Sequence, residues 1–122
     1  MKQSEFPYIK DFKDRFPITE NTAFVYNGKI YHNIELPDDI LIHEEAHIKR
    51  QNKIGADLWI KRYLTDDKFR LEEEVYAYKV QINSIKDRND RNLCRLECVK
   101  NLSSTLYGNL VSSLEAFKLL SK

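Results

Sequence analysis

A chain of 122 residues with 42% hydrophobic and 32% charged side chains has the length of one domain, 1–122, and can bury a core without disulfides or a metal as an obligatory staple. Its formal net charge of +1 argues against a large phosphate-binding face, so nucleic acid is set aside as a partner. No run approaches the roughly 18 apolar residues that a membrane span needs, and the opening stretch MKQSEFPYIKDFKDRF lacks an apolar signal core; both predict a cytoplasmic protein without a membrane partner.

Tyr8, Ile9, Phe12 and Phe16 recur at helical spacing after Pro7, which predicts a short amphipathic helix that Pro17 ends. Asn27-Gly28 then separates two β-rich runs. Both residues tolerate positive φ, so a hairpin is predicted with strands at about Thr22 to Tyr26 and Lys29 to Asn33. Pro37, Asp38 and Asp39 read as a helix start, with proline fixing φ and acidic charge at the positive end of the helix dipole; Gly55 reads as its stop. Downstream the pattern is helical throughout: ADLWIKRYL, a long helix opened by Thr65, Asp66 and Asp67, a break at Asn89 and Asp90, and a helix over RNLCRLECVKNL. A turn-rich link, SSTLYGN, follows, and Ser112 or Ser113 caps a last helix. The fold class predicted is α+β: a small antiparallel β-hairpin followed by a mostly helical remainder.

The predicted helix after Pro37 carries LIHEEAHI. Residues four apart share one helical face, so His43 and His47 can offer two imidazole nitrogens to one metal ion. Glu44, about 100° further round, is poorly aimed to be a ligand but can take a proton from a metal-bound water. This is the chemistry of a His-Glu-x-x-His pattern on a helix, with Zn2+ as cofactor and Glu44 as general base. Ile40, Leu41, Ala46 and Ile48 give the helix apolar surfaces, and buried histidines need partners that a metal would supply. Glu45 is expected to face solvent.

A catalytic zinc keeps three protein ligands and one open position. FRLEEEVYAYKVQ offers Glu72, Glu73 and Glu74, of which at most one can face the site, because consecutive helical residues diverge by about 100°. With Glu74-Val75-Tyr76-Ala77-Tyr78 following His43-Glu44-Glu45-Ala46-His47, the stretch from Thr22 to Gln81 resembles the small gluzincin-type zinc metallopeptidases (zincins), of the kind found in bacteriophage and bacterial genomes. The resemblance implies a compact zincin-like domain, a Glu74 ligand on a second helix behind the first, and a peptide or protein substrate. Ala77 fits the small residue that the family often carries three positions after the ligand; Glu73 is the next candidate. The resemblance also implies that the strand before the active-site helix, here Lys29 to Asn33, binds extended substrate by strand addition. Where many relatives have Asp or Asn four positions after the ligand glutamate, this chain has Tyr78, so Gln51 becomes the candidate to orient a ligand histidine. For stabilising the oxyanion, His32, Tyr76, Tyr78 and Tyr107 are candidates, Tyr107 first because it lies in the turn-rich LYGN segment.

Cys94 and Cys98, four apart on a predicted helix, are expected to be reduced and semi-buried. Trp59 and Tyr63 are expected to pack the core. The basic residues, interleaved with acidic ones, are expected to form a solvated mixed-charge surface. The competing expectation is an inactive zincin-like binding module, or a virion or complex component, with a structural zinc and a virion-associated location. An intact Glu44 favours the enzyme, since a structural site has no need of a base.

Overall fold

The computed structural model describes residues 1–122. The elements in chain order are a 3-10 turn Gln3–Glu5, α1 Ile9–Lys13, β1 Phe24–Tyr26, β2 Lys29–Tyr31, α2 Asp38–Ile54, α3 Ala56–Thr65, α4 Asp67–Asn83, α5 Arg88–Leu102, a 3-10 turn Thr105–Tyr107 and α6 Ser113–Leu120. An α+β composition, mostly helical with one two-stranded antiparallel sheet, is therefore observed. No helix is long and apolar enough to cross a membrane.

The hairpin forms where Asn27-Gly28 predicts it. Both turn residues have positive φ, 53° and 82°, and the register pairs Tyr26 with Lys29 and Phe24 with Tyr31. The strands are shorter than expected, three residues each. α2 begins after Pro37 with Asp38 and Asp39 in its first turn, and ends at Gly55, whose φ of +105° few other residues would adopt. The same glycine opens α3, its carbonyl accepting from the Trp59 N–H at 2.9 Å, so α2 and α3 join through a single residue.

Two boundaries differ from the sequence reading. Phe16 lies beyond α1, which ends at Lys13. The break before α5 falls at Ser84–Asp87, not at Asn89 and Asp90: the Asp87 side chain accepts from the Asp90 N–H at 2.9 Å, which places Asn89 and Asp90 in the first helical turn. Asx residues suit both positions, a cap through their side chains and a first turn through the dipole.

An aromatic core joins the N-terminal segment, the hairpin and α3. Phe6 stacks on Phe24 at 4.5 Å, Phe12 meets Tyr63, and Trp59 stacks on Tyr63 at 4.9 Å. A second core, around Ile82, Cys98, Leu102 and Ala116, packs α4 against α5 and α6. α2 and α4 lie against each other between these cores, with Ala46 and Ala77 buried.

The hairpin is turned so that β1, not β2, neighbours α2. Gln51, fully buried, donates to the Val25 carbonyl at 2.8 Å and accepts from the Asn27 N–H at 3.3 Å. The outer edge of β2 is occupied by the chain's own start: Met1 donates to the Ile30 carbonyl at 3.4 Å and accepts from the His32 N–H at 2.8 Å. This corrects the expectation that Lys29 to Asn33 offers an open edge to substrate.

Candidate metal centre

His43 and His47 lie one turn apart on α2 and both are buried, as is Glu74 on α4. Their donor atoms converge. His43 Nε2 is 3.1 Å from Glu74 Oε1, His47 Nε2 is 3.3 Å from the same oxygen, and the two Nε2 atoms are 3.2 Å apart. Donors bound tetrahedrally at roughly 2.0–2.1 Å from one ion stand about 3.3–3.4 Å apart, so the triangle has the size a small divalent cation requires.

The protons point the same way. Gln81 Nε2 donates to Asp39 Oδ2 at 2.8 Å, which turns the amide oxygen Oε1 toward His43 Nδ1 at 3.0 Å. A carbonyl oxygen can only accept, so Nδ1 carries the hydrogen and neutral His43 presents a bare lone pair at Nε2. That lone pair faces a carboxylate oxygen and a second imidazole, an arrangement a cation satisfies. His43, His47 and Glu74 are thus placed to bind a metal ion.

Glu74 is fixed from behind by Tyr63, whose hydroxyl donates to Oε2 at 2.5 Å. Burial alone would raise the Glu74 carboxyl, but attraction to the His47 and His43 imidazoles outweighs it, and its pKa is held well below the usual range. Glu73 points elsewhere. It accepts from Arg50 through both oxygens, with the Nη2 contact at 2.8 Å, and from Trp59 Nε1 at 2.7 Å, so Glu74 alone of the three consecutive glutamates joins the histidines.

Glu44 is buried, with Oε1 4.0 Å from His43 Nε2, while Glu45 is exposed as expected. Burial raises the Glu44 carboxyl to about 7; Glu74 adds to the rise and His43 opposes it. In the metal-free chain this has a consequence for stability. A carboxyl raised in the folded state contributes stability that is fully present below its ordinary value near 4.5 and is lost as pH rises through about 7. Glu44→Gln should therefore leave the chelator-treated protein similar to wild type at pH 4 and make it more stable at pH 8 by roughly 3 kcal/mol. Urea unfolding at the two pH values checks this; an equal difference at both would contradict it.

The centre opens into a cavity of about 580 Å3 walled by α2, α4, α5, the Phe16–Val25 segment and the Thr105–Tyr107 turn. Tyr78 and Tyr107 line it, Tyr78 with its ring 4.5 Å from that of His43 and its hydroxyl 2.5 Å from that of Tyr107. Burial, then the charge of Glu74, pushes both phenols well above their usual range. His32 and Tyr76 lie away from it: His32 Nδ1 contacts the Ile34 carbonyl, and Tyr76 is exposed beneath the Arg50 guanidinium.

Gln51 does not hold a ligand histidine, correcting that expectation; its amide is spent on the hairpin, and Gln81 takes the role for His43. His47 Nδ1 has no hydrogen-bond partner, and the edge-on Trp59 ring packs against the imidazole at 5.4 Å. Tyr63, Gln81 and Asp39 are the site residues the sequence reading missed. Asp39 lies four before His43, and Gln81 seven after Glu74, so helical spacing alone could have found both. Cys94 and Cys98 are free and also line the cavity, with sulfurs 3.9 Å apart and thiols pushed up by burial. Comparison with known proteins finds no matching family profile, no matching curated protein and no matching solved structure.

Proposed function

We propose that the chain is a zinc-dependent peptide hydrolase with a zincin-like arrangement. The observation that carries this reading is the convergence of His43, His47 and Glu74 donor atoms within 3.1–3.3 Å of one another, with the Glu44 carboxyl beside them. Two imidazole nitrogens and one carboxylate oxygen form a donor set that suits zinc and leaves a fourth position open. When bound there, the ion supplies Lewis acidity, acidifying water and polarising a carbonyl oxygen at the same point.

The remaining work falls to side chains. Glu44 Oε1, 4.0 Å from His43 Nε2, accepts the proton that the attacking water gives up and returns it to the departing amide nitrogen. The Tyr78–Tyr107 pair consumes only one of its two O–H groups internally, so the other is free to donate to the oxyanion. Glu74 keeps its orientation through Tyr63. An extended peptide finds its edge at the entry to β1: Ala23 lines the cavity, and neither its N–H nor its C=O is engaged within the chain.

Metal analysis of the purified chain, followed by cleavage of a peptide library by wild type and Glu44→Gln, tests the reading. The expected result is one zinc per chain in both proteins and cleavage that falls by about a thousandfold or more in the variant, a loss of about 4 kcal/mol or more of transition-state stabilisation. Bound zinc without any Glu44-dependent cleavage would instead support a non-catalytic binding module.

A further inference from the structure

Gln81 sits at the meeting point of α2 and α4, 3% exposed, with every polar atom of its amide engaged. Its Oε1 is 3.0 Å from His43 Nδ1, while Nε2 donates to Asp39 Oδ2 at 2.8 Å and makes a weak 3.8 Å contact with Cys94 Sγ. The spacing gives this a simple geometric basis. Asp39 and His43 are one turn apart on α2, and Glu74 and Gln81 are two turns apart on α4, so each helix contributes one metal-facing residue and one supporting residue to a crossed arrangement of four.

Resting on the proposed metal reading, we infer that Asp39 and Gln81 form a positioning relay that fixes His43 as a ligand. Gln81 holds Nδ1–H, and Asp39 decides which end of the Gln81 amide faces the imidazole. An amide is nearly symmetric in shape, and turned end for end it would present N–H groups to Nδ1. That would favour the other tautomer, with the hydrogen on Nε2, where it blocks ligation. The Asp39 carboxylate can only accept, so it captures Nε2 of Gln81 and excludes the reversed amide. Asp39, although it touches neither His43 nor Glu74 in any hydrogen bond, thereby selects the tautomer of a ligand two groups away.

The test uses the full chain, stripped of metal by chelator, titrated with Zn2+ against a chromophoric competitor and loaded with Co2+ for its visible spectrum. Gln81→Leu is expected to weaken Zn2+ binding by about ten- to a hundredfold and to shift the Co2+ bands, since outer partners of ligating histidines typically matter by that factor. Gln81→Glu alone should also weaken binding, because it sets two carboxylates at hydrogen-bond distance.

The decisive variant is the exchange Asp39→Asn with Gln81→Glu, which moves the acceptor and donor without altering the shape of either side chain. It keeps an acceptor for Nδ1–H and a donor between positions 39 and 81. Affinity within about threefold of wild type and a wild-type Co2+ spectrum are expected, since orientation and acceptor are both preserved. Should Gln81→Leu fail to fold, the exchange still decides. Wild-type affinity in Gln81→Glu alone, which keeps the shape but breaks the pairing, would overturn the relay in favour of plain packing, and affinity lost in the exchange as in Gln81→Leu would overturn it as well. Loss of binding in His43→Ala with undiminished binding in Gln81→Leu would overturn the relay while the metal reading stands; a wild-type chain that takes up neither Zn2+ nor Co2+ would overturn both.

Discussion

Replacing Glu74 with glutamine is expected to weaken Zn2+ binding by at least about a hundredfold and to lower the stability of the metal-free chain at neutral pH. The affinity follows from sharing the roughly 10–16 kcal/mol of four-ligand zinc sites among the donors, about 3 kcal/mol each. The stability follows from the protons. In the metal-free chain the Glu74 carboxylate lies 3.1 Å and 3.3 Å from the two imidazole Nε2 atoms, and attraction to the imidazoles holds its carboxyl below the usual range despite burial. A glutamine there can still accept from Tyr63 through its carbonyl oxygen, but it gives up the charge that the imidazoles favour, so the stability present above the ordinary carboxyl range is lost. The same substitution therefore removes both a metal donor and a favourable buried charge. Thermal unfolding with and without Zn2+ reads both effects: wild type gains stability with added metal by mass action and the variant does not. Glu73→Gln is the matching control, since Glu73 faces Arg50 and Trp59 and should leave the metal-induced shift intact. An undiminished shift in Glu74→Gln would remove Glu74 from the site.

What could be read from the sequence was whatever depends on short-range geometry. His43, Glu44 and His47 are set by the pitch of one helix, and Asn27-Gly28 and Gly55 by backbone torsions that other residues resist. Glu74 needed more, the small Ala77 that lets α4 approach α2, and here the family resemblance chose among three consecutive glutamates. The misreadings share a cause. Gln51 lies one turn after His47, yet the hairpin arrives at that point and takes its amide; Gln81 belongs to another helix and reaches His43 only through packing. Which strand of a hairpin lies beside a helix is not fixed by its turn, so β1 and β2 were interchangeable on paper. The pairing of Met1 with β2, across some thirty residues of chain, left no local pattern. Tyr63 reached Glu74 because Gly55 redirects α3, and Trp59 and Tyr63, expected as packing residues, are buried there but also donate to Glu73 and Glu74.

Arg50→Ala should destabilise the chain by about 3–5 kcal/mol, because it strands a carboxylate inside the protein rather than because it removes a surface charge. Glu73 is 1% exposed and Arg50 about one-third exposed, so the two ends of the pair are not equivalent. Truncating Arg50 leaves Glu73 with Trp59 Nε1 as its one remaining side-chain donor, at 2.7 Å. Removing the charge from Glu73 instead, as Glu73→Gln, keeps an acceptor for Trp59 and lets Arg50 turn to water; this should cost much less, and Arg50→Ala combined with Glu73→Gln should recover most of the loss. Urea unfolding of the three variants tests the ordering, and an Arg50→Ala protein within about 0.5 kcal/mol of wild type would show that the pair contributes little. The comparison also separates two kinds of support for the metal centre. Arg50 and Glu73 join α2 to α4 without facing the ligands, so Arg50→Ala should lower stability while the metal-induced shift persists. Gln81 and Asp39 act on the orientation of one imidazole, so disturbing them should lower affinity with a smaller loss of fold. If both pairs behaved alike, the orientation of His43 would be a by-product of helix packing.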